Sequence, residues 1–163
     1  MCASTSCKAL NKEVRMHNYQ TILVAVDFSP DSEKAIARGK QLAEIYQAEL
    51  MLLHLVEEPT YPVFEDISLS GASGIWIPEI ADAMIDAAKS RLYALAEENG
   101  VAEERCEVFS GFSKVDIAER ADELNVDLIV MGRHGHSFLE KLIGSTTTSV
   151  LNHAQCDVLT VSK

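Results

Sequence analysis

Apolar residues along the chain fall into two alternating rhythms. Ile22-Leu23-Val24-Ala25-Val26 is continuous and rich in β-branched residues, the pattern of a strand covered on both faces. Asp27 ends it and Ser29-Pro30-Asp31 supplies a helix start, with proline suited to the first turn. Ala35, Ile36, Gly39, Leu42, Ala43 and Tyr46 then recur at helical spacing. Leu50 to Val56 is a second apolar run. Pro78 opens a helix whose face is Ile80, Met84, Ala88, Leu92 and Leu95, closed by Asn99-Gly100. Arg105 to Phe109 alternates polar and apolar positions, as an edge strand does. Ser113 with Asp116 reads as a capping box for a helix that buries Ile117, Ala118, Ala121 and Leu124. Asp127 to Met131, ending in Gly132, is a fourth strand, Ser145 to His153 a last helix and Asp157 to Ser162 a last strand.

Two stretches lack either rhythm. The first is polar and mixed, and reads as a flexible extension over residues 1–18 ahead of a domain at 19–163. The second, Glu57 to Ile77, holds Pro59, Pro62, Gly71 and Gly74 and ends beside the only tryptophan, Trp76. Irregular stretches of that length in a compact domain are functional or mobile. Trp76 would cover a site, pack on a partner chain or sit in a satellite cluster, and the sequence does not choose.

The order β-α-β-α-β-α-β-α-β implies an α/β fold: a doubly wound five-stranded parallel sheet with helices on both faces, because crossovers are right-handed. The expected strand order is 3-2-1-4-5. Its ligand crevice lies where the winding reverses, between the ends of strands one and four. Asp27 and Gly132 stand at those two ends.

A length of 163 residues and 47% hydrophobic content fit one folded domain. Fourteen Lys and Arg against 25 Asp and Glu give a net charge of −11, a field that opposes nucleic acid and anionic membranes. No run of about 18 apolar residues is present to span a bilayer, and Met1 to Gln20 has no apolar core of a secretory signal. Cys2, Cys7, Cys106 and Cys156 match neither a zinc ribbon nor a redox CxxC spacing. A cytoplasmic location is expected, and any phosphate site must rely on backbone amides instead of a basic patch.

Such a site is suggested by Met131-Gly132-Arg133-His134-Gly135, followed after eight residues by Gly144-Ser145-Thr146-Thr147-Thr148. Gly132 and Gly135 permit positive φ and close approach of a ligand. Ser145 stands at a helix start, where free amides and the helix dipole favour phosphate, and the hydroxyls of Ser145, Thr146 and Thr147 add donors. Turning glycines and a capping serine would explain each feature alone; their convergence on the switch point favours a site. His134 and His136 bring no third metal ligand with them, and Arg133 is as well read as a solvated loop cation as a phosphate contact.

These residues resemble the nucleotide-binding branch of the universal stress protein family, with its Gly-x-x-Gly, nine residues, then Gly-Ser or Gly-Thr. Val24-Ala25-Val26-Asp27-Phe28-Ser29, Leu52-Leu53-His54-Leu55-Val56, Asp127 to Gly132 and Cys156 to Val161 resemble that family's strands, so the likeness runs from Tyr19 to Lys163. The interval here is eight residues instead of nine, a shorter loop that would favour AMP or ADP over ATP. The resemblance implies an adenine nucleotide (ATP, ADP or AMP), with Mg2+ as its companion ion. Ala25, Val26 and Asp27 would lie beside the adenosine, Leu55 would offer backbone to the adenine edge and Met131 would pack on the base. Gly132, Arg133, His134 and Gly135 would wrap ribose and phosphates, and Gly144, Ser145, Thr146 and Thr147 would receive the phosphates. It also implies a homodimer through the edge strand at Asp157 to Ser162.

Three functions share this architecture: a nucleotide-binding stress sensor or tolerance factor, a slow ATPase or phosphotransfer enzyme, and a stress dimer that binds no nucleotide. The first is preferred, since no lysine or clear general base is evident beside the expected γ-phosphate. A receiver domain needs a phosphoacceptor aspartate where Phe109-Ser110 stands. The Gly-x-x-x-x-Gly-Lys-Ser/Thr string of P-loop enzymes and the Ser-Gly-Gly loop of ATP-pyrophosphatases do not occur.

Overall fold

The computed structural model describes residues 18–57, 78–111, 114–134 and 143–162. The expectations for residues 1–17, the stretch 58–77 with Trp76, Ser113, Gly135 and His136 lie outside them.

Among the described residues five strands and four α-helices alternate. They are β1 (Thr21–Ala25), α1 (Pro30–Tyr46), β2 (Glu49–Glu57), α2 (Pro78–Asn99), β3 (Cys106–Gly111), α3 (Asp116–Glu123), β4 (Leu128–Gly132), α4 (Ser145–His153) and β5 (Asp157–Val161). The sheet is parallel throughout, in the order β3-β2-β1-β4-β5. This is the expected doubly wound topology, and the alternating strand at Cys106–Gly111 is an edge as its pattern suggested.

Both faces of the sheet are covered. Ile22, Val24 and Val26 of the first strand region pack with Ile36, Leu52, Leu92 and Val130 on one face, against α1 and α2. Leu23, Ala25, Leu53, Ile129 and Met131 pack with Ile117, Ala121 and Val150 on the other, against α3 and α4. Ile22, Leu23 and Val24 are fully buried. That explains why β1 reads as an unbroken apolar run: both sides of its pleat are inside, so alternation is lost.

Local chemistry sets the helix ends. Ser29 caps α1, its Oγ accepting from Ser32 N at 3.2 Å, and Pro30 occupies the first turn. Gly100, with φ of 70°, turns the chain after α2. The start of α3 departs from expectation. It opens from Val115, with no side-chain cap, so Asp116 is its first residue and does not sit three positions in. The Asp116 carboxylate instead lies over Gly111, where a Cβ would collide with it.

Candidate functional site

The winding reverses between β1 and β4, and there the carboxyl ends of the strands open into a cleft of about 350 Å³, within the range of small-molecule sites. Register pairs Leu53 with Ala25 and Ala25 with Met131, so three apolar side chains stand abreast as its floor. Leu55 and Ile117 extend that apolar wall. At the other end Gly144, Ser145, Thr146 and Thr147 of the α4 start line the cleft, with Gly132 and Asp27 at its rim.

The polar end is built on backbone. Gly144 is the N-cap of α4 and has no side chain to occupy the first amides. The first helical bond runs from Thr148 N to Gly144 O at 2.9 Å, so the amides of Ser145, Thr146 and Thr147 precede it and are donors that no bond within the helix uses. Gly144 N donates to Arg133 O at 3.0 Å, tying this helix start to the end of β4. Thr147, 3% exposed, tightens the same joint: its Oγ1 donates to Gly132 O at 3.0 Å. Its one hydroxyl proton is directed at that carbonyl and at Arg133 O, 3.4 Å away, which leaves the amide of Thr147, and not the hydroxyl expected from sequence, as its donor toward the cleft.

Gly132 also differs from its sequence reading. Its φ lies outside the left-handed region; what requires glycine is the α1 start, since an added Cβ would stand 3.0 Å from Asp31 C and Cβ and 3.1 Å from Ser32 N. Beyond it Arg133 N donates to Val161 O at 2.8 Å. The His134 ring turns toward α1, with Nδ1 3.4 Å from Asp31 Oδ2. Neither Arg133 nor His134 lines the cleft.

Asp27 projects from the turn after β1. Its Oδ1 accepts from Ser29 N at 3.0 Å, an Asx turn that fixes the carboxylate at the cleft rim ahead of the Ser29 cap. The next residue, Phe28, adopts a left-handed φ of 60°, uncommon for a bulky side chain. Its ring packs on the His54 ring, centroids 4.5 Å apart, and the Arg91 guanidinium lies 4.2 Å from its centroid.

Five lining residues escaped the sequence reading: Leu53, His54, Glu57, Lys114 and Ile117. His54 Nδ1 is 2.7 Å from Val26 O, and burial pushes its imidazole below 6.5, so at neutral pH the ring is uncharged and donates to that carbonyl. Lys114 matters most. Its Nζ donates to Ser145 Oγ at 2.7 Å and lies 3.7 Å from Glu57 Oε1, placing an ammonium at the polar end where sequence reasoning found no lysine. Among the described residues no group of three His, Cys, Asp or Glu side chains is placed to hold a metal, and no helix is long and apolar enough to cross a membrane.

The sequence model of the universal stress protein family matches residues 18–162. Universal stress protein A homolog 1 of Coxiella burnetii is 37% identical over 147 residues, covering 90% of this chain and 97% of its own length. Among solved structures, the universal stress protein UspA from Lactobacillus plantarum is 28% identical with a TM-score of 0.65, covering 88% of this chain and 98% of that one. A universal stress protein solved in complex with cAMP is 26% identical with a TM-score of 0.60, covering 89% and 98%. Sheet order, crossover pattern and these matches agree, and the chain belongs to the universal stress protein family.

Proposed function

We propose that the chain binds an adenine nucleotide in the cleft between β1 and β4 and acts in the stress response as a sensor or tolerance factor. The observation that carries this reading is the pairing of an apolar floor, Leu53-Ala25-Met131, with the amide-lined start of α4 at the opposite end of one cleft of about 350 Å³. An aromatic base suits the first and a phosphate the second. The structural relative bound to cAMP supports the same ligand class.

In this reading Ala25, Leu55 and Met131 face the base, Asp27 the ribose, and Gly132 with Gly144, Ser145, Thr146 and Thr147 the phosphate. A Mg2+ ion would enter on the phosphates, since it is held by few carboxylates and retains its waters. β5 is the outermost strand beside β4, and an open edge favours pairing with a second copy, so the working unit is a cytoplasmic homodimer. Isothermal titration with adenosine, AMP, ADP and ATP tests the ligand. Saturable one-to-one binding is expected, and an absence of heat for all four would overturn the assignment. Sedimentation equilibrium over a range of concentrations tests the dimer, and a monomer throughout would overturn it.

A further inference from the structure

The polar end of the cleft holds one ammonium between a hydroxyl and a carboxylate. Lys114 lies in the turn before α3, yet its Nζ reaches Ser145 Oγ, 31 residues later, at 2.7 Å, and Glu57 Oε1 at 3.7 Å. Among the described lining residues it is the one lysine or arginine, and Asp27 and Glu57 are the carboxylates that line the same cleft. We propose that Lys114 determines specificity for phosphate, exchanging Glu57 for the phosphate of a bound nucleotide and so separating nucleotides from the uncharged nucleoside. The proposal rests on the nucleotide reading above and names the residue that gives it charge selectivity.

The arrangement is suited to exchange. Ser145 Oγ accepts from Lys114, which leaves its own O–H to donate, and its amide opens α4 beside it. A phosphate oxygen held by that amide and hydroxyl lies next to the ammonium, where a charge-assisted bond is stronger than a neutral one. Glu57 is a weak competitor: its side chain is 61% exposed and the pair is 3.7 Å apart, a geometry in which solvent screens most of the attraction. The net charge of −11 adds to the need for a local cation, because the background field repels any anion approaching the cleft.

Titration calorimetry with adenosine, AMP and ATP against wild type, Lys114→Met, Lys114→Arg and Glu57→Gln tests the exchange, with melting curves confirming that each variant is folded. Lys114→Met is expected to leave adenosine within about twofold and to weaken AMP and ATP by about tenfold or more, the loss of one charged hydrogen bond. Its nucleotide affinity should also depend less steeply on salt. Lys114→Arg should retain phosphate discrimination, and Glu57→Gln should tighten AMP by about two- to fivefold as the competing carboxylate is removed. Wild-type nucleotide binding with Lys114→Met unchanged, or with adenosine weakened equally, would overturn the role of Lys114 while leaving the nucleotide site standing. A wild type that binds none of the three ligands would overturn both.

Discussion

Replacing Gly132 with alanine isolates the contact on which the geometry of the cleft depends. The new methyl would stand 3.0 Å from Asp31 C and Cβ and 3.1 Å from Ser32 N, whereas carbon atoms in contact prefer about 3.5–4.0 Å. A few tenths of an ångström must be found between the end of β4 and the start of α1. Side chains cannot yield it, because two of the three atoms are backbone. The neighbouring caps, Ser29 and Ser32, are each 1% exposed and bonded to one another.

Overpacking of this kind costs about 1–3 kcal/mol. It is opposed by the reduced freedom of the unfolded alanine chain, about 0.4–1 kcal/mol, which applies because the φ of Gly132 is ordinary. The steric term wins, for a net loss of about 1–2 kcal/mol. For a domain of this size that lowers Tm by about 2–8 °C. Melting followed by circular dichroism gives the shift, and Ile45→Ala, on a side chain 64% exposed, is the control expected to move little. Separating β4 from α1 also displaces the Gly132 and Asp27 rim, so nucleotide affinity should fall with stability. A Gly132→Ala protein that melts with wild type and binds as wild type would refute the close-approach argument.

Three further perturbations have defined outcomes. Thr147→Val keeps the shape but removes the donor to Gly132 O, and leaving that carbonyl unpaired should cost about 1–2 kcal/mol in urea denaturation. Asp31 has its carboxyl held below the ordinary 3.8, chiefly by the hydrogen bond from Lys34 Nζ at 2.8 Å and further by His134, with burial opposing. A carboxylate with a depressed folded pKa stabilises above the unfolded value and loses that contribution as pH falls through the folded one. Asp31→Asn should therefore be less stable than wild type at pH 7, and the difference should shrink in thermal melts as pH falls below 3.8 and through the folded pKa. Tyr19 donates to Asp157 Oδ2 at 2.8 Å, and that bond, aided by burial, pushes its phenol from 10.0 up to about 12. Its raised folded pKa stabilises below pH 10 and the contribution is lost between pH 10 and 12, so Tyr19→Phe should flatten the alkaline limb and remove a phenolate that appears at 295 nm near pH 12.

The fold was legible because its elements announce themselves over short spans. Ile22 to Val26 could only be a strand buried on two faces, and Ser29-Pro30 and Asn99-Gly100 mark helix ends through residues one or two positions apart. The switch point follows from element order alone, which marks Asp27 and Gly132, and Ser145 is marked by the glycine-serine step that opens a helix. What escaped notice depends on contacts between distant segments. Lys114 sits 31 residues from Ser145 and 57 from Glu57 in the sequence, and nothing local marks it as facing either. His54 looks like any strand residue until the turn after β1 brings Val26 O and Phe28 to it. Gly132 was recognised as necessary for the wrong reason: a glycine does not declare whether it relieves a dihedral or makes room for a neighbour 101 positions away at Asp31. Ser113 and Asp116 have the spacing of a capping box, but the Asp116 carboxylate is drawn over Gly111 and the helix starts later.

Lys114 changes the electrostatic account of the cleft. With amides alone, an anion would be bound by partial charges against a chain of net charge −11, and binding would rest on the helix start, whose effect is confined to its first turn. A single ammonium 2.7 Å from Ser145 supplies a full charge within the same few ångströms, where the distant carboxylates are screened over about 10 Å. Glu57 then acts as a resident counter-ion, keeping that charge paired until a better anion arrives. Such a cleft discriminates by exchange: neutral adenosine gains the apolar floor but cannot displace Glu57, while a phosphate gains both. Selectivity for nucleotide over nucleoside thus follows from one lysine and one carboxylate set against a helix start, without a basic surface.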